Sequence, residues 1–310
     1  MSQGTAQSPT AESPTAESPM ARPRRSVLYM PGSNTRALEK GRGLPADALI
    51  LDLEDAVAPD AKAEARANVK AALEQGGYGK REIVVRVNGL DTAWGAEDIA
   101  ALGGSAADAI LIPKVESAKM VQEVERLMVK AGARPAMGIM CMMETPLGVL
   151  RAEEIAGASP RLTCLVMGTS DLVKDLNAKH TDTRLPVLTS LSLCVLAARA
   201  HGKAIVDGVH LDLNDEEGFK AHCRQGRELG MDGKTLIHPK TVAAANEAFA
   251  PSEAEVEQAK RIIDAHAEAA REGKGVVVLD GKLIENLHVE DAQRTVALAE
   301  SIAALEAEAA

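Results

Sequence analysis

The stretch PAMGIMCMMETPLG, residues 135–148, decides the fold. From Ala136 to Met143 it runs through apolar residues without a charge, then stops at Glu144, followed by Thr145 and Pro146. A run of this length between two prolines is too short for a buried helix. It suits a strand covered on both faces, as in a parallel sheet flanked by helices. A buried strand that ends on a carboxylate then needs a chemical reason.

Working outward, seven more runs have the same character: SVLYM (26–30), ALILDL (48–53), EIVVRV (82–87), AILIP (109–113), LTCLVM (162–167), KAIVDG (203–208) and GKTLIH (233–238). Between them lie segments such as SAKMVQEVERLMVKAG (117–132), with apolar positions at helical spacing and a closing glycine. Eight β/α units across residues 24–250 predict an α/β fold of the (β/α)8 TIM-barrel type, because a doubly wound sheet seldom needs eight parallel strands. Residues 251–310 exceed what closure requires. Pro251 and Ser252 open a long amphipathic helix, VVVLDGKLI (276–284) reads as a hairpin around Asp280-Gly281, and a last Ala-rich helix runs from about residue 288. This extension is expected to be a helical and hairpin lid or an oligomerisation arm. Residues 1–23, with a tandem AESPT/AESPM repeat, read as a disordered tail ending near Met20.

Composition narrows the function. Aromatic residues make up 2% of the 310, so the core must be built from Ala, Val, Leu, Ile and 11 Met, and stacking sites for sugars or single-stranded nucleic acid are disfavoured. A net charge of -10, from 45 acidic and 35 basic residues, disfavours nucleic acid and anionic membranes as partners. No run reaches the roughly 18 apolar residues of a membrane span, and the N-terminus lacks the apolar centre of a signal peptide, so the expected location is cytoplasmic. The four cysteines, 141, 164, 194 and 223, show no CxxC spacing and read as reduced, buried thiols.

Polar residues recur where the strands end: Glu54 and Asp55 after the second, Arg86 and Asn88 at the third, Lys114 after the fourth, Glu144 after the fifth, Asp171 after the sixth, Asp207 in the seventh and His238 after the eighth. Barrel enzymes keep their active sites at this C-terminal mouth. Strands five and six are neighbours about 4.8 Å apart, so Glu144 and Asp171 can share one cation, and two carboxylates with open positions suit Mg2+ better than Zn2+. Arg86 stands where an inward position should be apolar. Its partner is either a protein acid such as Glu54 or a substrate carboxylate held by its fork. Asp52 reads as a structural hydrogen-bonding group beneath the mouth, with Glu54 and Asp55 supporting it. DLNDEEG (212–218) misplaces the glycine of a calcium loop, GTSDL is not a nucleophile elbow, and no HExxH or phosphate-cradling glycine loop is present. A glycosidase would also pair two carboxylates at strand ends, but the scarcity of aromatics and the position of Arg86 count against it.

LYMPGSNTRALEK, ADALILDLEDAVAPDAKAEAR, VRVNG, ILIPKVESA, METPLG, MGTSDL and GMDGKTLIHPKTVAAANEAFAPSEAEV together resemble the citrate lyase β-subunit-like (HpcH/HpaI aldolase) family over residues 24–305. The resemblance implies a Mg2+-dependent barrel, homotrimeric or homohexameric, acting on short hydroxyacyl-CoA esters. Within the family the chain is most similar to the branch that hydrolyses (3S)-malyl-CoA to malate and CoA. The alternatives are carbon–carbon cleavage, as in the malyl-CoA, β-methylmalyl-CoA and citramalyl-CoA lyases, or a place in a citrate-lyase-like complex. Carried over motif by motif, Glu144 and Asp171 would bind the metal and Arg86 the substrate carboxylate. Tyr29, Lys40, Ile237 and His238 would line the region of substrate and CoA. Many relatives bring a lid aspartate over a neighbouring subunit's site; here the matching place reads LIEN, so Glu285 would serve as the base.

Overall fold

A computed structural model of the chain describes residues 22–273 and 277–309. The expected N-terminal tail lies almost wholly outside the described residues. In chain order the elements are β1 (Ser26–Pro31), α1 (Thr35–Gly41), β2 (Ala48–Asp52), α2 (Lys62–Gln75), β3 (Glu82–Arg86), α3 (Gly95–Leu102), β4 (Ala109–Ile112), α4 (Ala118–Lys130) and β5 (Gly138–Met143). They continue with α5 (Pro146–Leu150), α6 (Ala152–Ala156), β6 (Leu162–Met167), α7 (Thr169–Asp175), α8 (Leu188–Ala200), β7 (Ala204–Asp207), α9 (Glu216–Glu228), β8 (Gly233–Leu236) and α10 (Val242–Phe249). The eight strands close in sequence order into a barrel, all neighbours parallel, with β1 pairing both β2 and β8. This is the TIM-barrel architecture expected from the eight apolar runs.

Side chains on a strand alternate between faces, so each strand feeds two cores. Val27, Ala48, Ile50, Val84, Ala109, Leu111, Met140, Met142, Cys164, Val166, Ala204 and Val206 pack together inside the barrel, with Tyr29 against them. The alternate residues, among them Leu49, Leu51, Val85, Ile110, Ile139, Cys141 and Leu165, pack outward under the helices. All four cysteines are free and buried. Burial pushes the Cys141 thiol far above its ordinary range, which leaves it inert.

The inward parity has a direct consequence at the mouth. On β2 it runs Ala48, Ile50, Asp52; on β3, Val84, Arg86; on β5, Met140, Met142 and then Glu144. Asp52 and Arg86 are register partners on adjacent strands, so an acid and a base cap the interior side by side.

Chain contacts define two compact units, one of Pro23–Ala250 with the chain from Ala304 onward, the other including Pro251–Ala303. In the second unit α11 (Glu253–Arg271) begins with a capping box in which Ser252 and Glu255 bond reciprocally. Its hairpin, β9 (Val277–Leu279) and β10 (Lys282–Ile284), turns through Asp280 and Gly281, both at positive φ as a two-residue turn requires. The last helix, α12 (Asn286–Ala309), follows directly. No helix among the described residues is long and apolar enough to cross a membrane.

Candidate active site

At the mouth Arg86 is 7% exposed and has three acidic contacts. Its Nε donates to Asp52 Oδ1 at 2.7 Å, and its Nη2 donates to Asp52 Oδ2 at 2.6 Å. Its Nη1 lies 2.9 Å from Glu54 Oε2. Asp52 also accepts the backbone N–H groups of Glu54 and Ala56, which fixes the turn leaving β2. The Arg86 guanidinium carbon lies 4.8 Å from the centroid of the Tyr29 ring, and the Tyr29 hydroxyl donates to Met142 Sδ at 3.4 Å. Burial alone would lower the Arg86 pKa, but the bonds to Asp52 and the charge of Glu54 hold it raised. The two-toothed fork that the sequence left open between protein and substrate is therefore engaged by Asp52. The Nη1 edge shared with Glu54 remains towards the mouth.

Glu144 is 2% exposed, and its Oε1 accepts the Lys114 backbone N–H at 2.7 Å. Lys114 makes this possible by adopting φ 49°, a left-handed conformation uncommon for a side-chain-bearing residue. Its ammonium lies 3.0 Å from Glu54 Oε1 and 3.9 Å from Asp171 Oδ2. Burial pushes the Glu144 carboxyl up to about 7; Lys114 and Arg86 oppose the shift and Asp171 adds to it. Gly168 is required beside it, since a Cβ there would meet the Glu144 side chain. Asp171 stands in the first turn of α7, so Glu144 and Asp171 come from the segments that follow two adjacent strands. They offer hard oxygen donors that fit a divalent cation of the Mg2+ type. Among the described residues no group of three or more His, Cys, Asp or Glu is placed to hold a metal.

The remaining sequence candidates separate. Asp55 lies 3.6 Å from Arg86 Nη1 at the exposed rim. Lys40 is exposed in the last turn of α1, and Ile237 is 42% exposed beyond β8. His238 ends no strand: β8 stops at Leu236, and the His238 Nδ1 accepts the Lys240 N–H as the cap of a short 3-10 turn. Glu285 belongs to the second unit, is exposed, and precedes α12; its carbonyl accepts the His288 N–H and its own N–H donates to His288 Nδ1.

Asp207 is a correction. Inward parity on β7 belongs to Ala204 and Val206, so Asp207 points outward rather than into the mouth. It is fully buried against Arg184 Nη1 at 2.6 Å and Lys234 Nζ at 2.9 Å. Burial would raise its pKa, but these two cations outweigh burial and hold the carboxyl below its ordinary value. Lys114 was expected at the mouth as the polar end of the fourth strand, but its bridging role between Glu54, Glu144 and Asp171 rests on its φ and its contacts, which have no signal in one sequence.

Fold and mouth together define a TIM-barrel protein with an acid-rich mouth braced by Arg86 and Lys114. The sequence profile described as HpcH/HpaI aldolase/citrate lyase matches residues 25–239, and the chain belongs to that family. It is 56% identical over 284 residues to a (3S)-malyl-CoA thioesterase of Cereibacter sphaeroides, covering 92% of this chain and 97% of that protein. It is 37% identical over 284 residues to the citrate lyase subunit beta of Escherichia coli, covering 90% and 94%. Among solved structures it is similar to CitE from Mycobacterium tuberculosis in complex with magnesium, acetoacetate and coenzyme A. That likeness has a TM-score of 0.71 and 28% identity, covering 91% of this chain and 99% of that one.

Proposed function

We propose that the protein is a Mg2+-dependent enzyme that hydrolyses (3S)-malyl-CoA to malate and CoA. The observation that carries this reading is the 56% identity, over 97% of its length, to a thioesterase of that specificity. The mouth is chemically suited to it. Glu144 and Asp171 would hold the ion, and the raised Glu144 pKa marks a buried carboxylate with too little positive charge around it, which a cation would correct. When bound, Mg2+ supplies Lewis-acid stabilisation of the oxygen on which charge develops.

In this reading Arg86, braced from below by Asp52, exchanges Glu54 for the substrate carboxylate on its Nη1 edge. Tyr29 packs against the guanidinium face and keeps it oriented. Lys114 holds Glu54 aside and fixes Glu144 through its backbone N–H. Lys40, Ile237 and His238 contribute to the CoA side. Glu285, from the C-terminal unit, is the base: it takes a proton from water as the C–O bond forms, the C–S bond breaks, and the proton passes to the departing CoA thiolate. Its carboxylate has no hydrogen-bond or ion-pair partner among the described residues, which leaves it free for proton transfer. The active form is a homotrimer or homohexamer.

A second reading is carbon–carbon cleavage, favoured by the 37% identity to a citrate lyase subunit. The deciding experiment incubates the protein with (3S)-malyl-CoA and Mg2+ and separates the acyl-CoA products. Free CoA and malate support hydrolysis. Acetyl-CoA and glyoxylate as main products establish the lyase instead.

A further inference from the structure

Beside the mouth, a cavity of about 290 Å3 opens between α7, the loop after β7 and the start of α9, lined in part by Lys179, His180, Asp182, His210, Asp215 and His222. Its wall contains a chain of four groups that sequence and site leave unexplained. His222 Nε2 lies 3.1 Å from the Asp182 carbonyl oxygen, His222 Nδ1 lies 3.1 Å from His210 Nδ1, and His210 Nε2 lies 3.6 Å from Asp215 Oδ2.

Both ends of this chain are acceptors, so with both rings neutral one of its three gaps lacks a proton. Two neutral imidazoles supply two protons to the three gaps, and the two gaps of 3.1 Å are hydrogen-bond distances whereas the gap of 3.6 Å is not. That assigns one proton to His222 Nε2, towards the carbonyl, and one to the His222–His210 contact, and leaves His210 Nε2 as a lone pair facing a carboxylate. The structure agrees: His210 Nε2 is buried with no hydrogen-bond partner, and the His210 side chain is 10% exposed. With both rings neutral the chain lacks one positive charge. A proton is a poor candidate at neutral pH, because burial and the nearby Lys234 and Arg184 hold both imidazoles below their ordinary pKa, against the opposing charges of Asp215 and Asp212 on His210.

A metal ion fits better. An ion about 2.1 Å from His210 Nε2 and from Asp215 Oδ2 would subtend an angle of roughly 118° across their 3.6 Å separation, close to tetrahedral. With the protons so assigned, the His210 ring bonds His222 through its other nitrogen, the arrangement that orients a metal-ligating imidazole. Asp215 is anchored in turn as the N-cap of α9, its Oδ1 accepting the Gly218 N–H at 2.9 Å. We propose that His210 Nε2 and Asp215 Oδ2 form a second metal site, built from residues other than Glu144 and Asp171, for a borderline transition ion such as Zn2+ or Co2+, with its remaining positions open to the cavity. A nitrogen donor paired with one carboxylate selects against Mg2+.

The test is titration of the full chain with Zn2+ by calorimetry, and with Co2+ by visible absorption, in millimolar Mg2+ so that the oxygen-donor mouth is saturated. One equivalent should bind, with tetrahedral Co2+ bands. Asp215→Asn, which retains the helix cap, and His210→Gln should each weaken binding at least tenfold, while Glu144→Ala leaves it unchanged. Matching far-ultraviolet circular dichroism will show that the variants are folded. Absence of saturable binding in excess Mg2+, or an affinity indifferent to both wall variants, overturns the proposal. The readout is metal affinity, so the result stands apart from whichever reaction the mouth performs.

Discussion

Replacing Arg86 by lysine tests the mouth most directly, because the charge is retained while the geometry is lost. Arg86 spans Asp52 with two bonds of 2.7 and 2.6 Å and reaches Glu54 at 2.9 Å with a third nitrogen. A lysine ammonium is a point charge and cannot form the two parallel bonds to Asp52 while also holding Glu54. The pair is buried, with side-chain exposures of 8% and 1%, so solvent does not compensate. Losing one charge-assisted bond costs about 1.5–3 kcal/mol. At about 2–4 °C per kcal/mol, Tm should fall by roughly 3–12 °C. If the same geometry presents Arg86 to substrate, kcat/KM should fall roughly ten- to a hundredfold. Calorimetry and steady-state CoA release measure the two effects, and a double-mutant cycle with Asp52→Asn should give a coupling above about 1 kcal/mol. A Tm within about 1 °C of the parent, together with kcat/KM within about twofold, would refute the reasoning.

Glu144→Ala and Asp171→Ala should each abolish turnover and Mg2+ binding while leaving circular dichroism unchanged, and EDTA should reproduce the loss in the parent; turnover by Asp171→Ala in EDTA would remove the metal assignment. Glu285→Gln should eliminate hydrolysis with little change in substrate affinity, because the amide keeps the shape but takes no proton, and normal hydrolysis would exclude it as the base. On the acid side, burial with Lys234 and Arg184 depresses His222 from 6.5 to about 4, so the unfolded chain binds the proton first. The stability tied to that neutral ring is present above about 6.5 and lost as pH falls towards about 4. His222→Gln should flatten the dependence of Tm on pH across this window, and an unchanged slope would show that another group controls it.

The barrel was legible because burial on both faces writes itself into sequence: eight apolar runs, seven of them ending in polar residues, with helical spacing between them. That pattern is local, so it needs no knowledge of partners. Glu144 stood out for the same reason, as the first charge after a buried strand. Asp207 shows the limit of that reading. Its strand was recognised, but the face it points to follows from parity relative to the barrel interior, and with three apolar neighbours on a four-residue strand both faces read alike.

What tertiary structure alone decided is pairing. The sequence determined that Arg86 needs an acid, and the register of β2 against β3 selected Asp52, thirty-four positions earlier, over Glu54 as the holder of its fork. The left-handed Lys114, the closure of Arg184 and Lys234 on Asp207, and the proton-deficient chain from Asp182 to Asp215 depend likewise on residues far apart in sequence. Hydrophobic periodicity is a property of one segment. Charge satisfaction is a property of the whole fold, because a buried ion is stabilised only by groups that the other strands bring within a few ångströms of it.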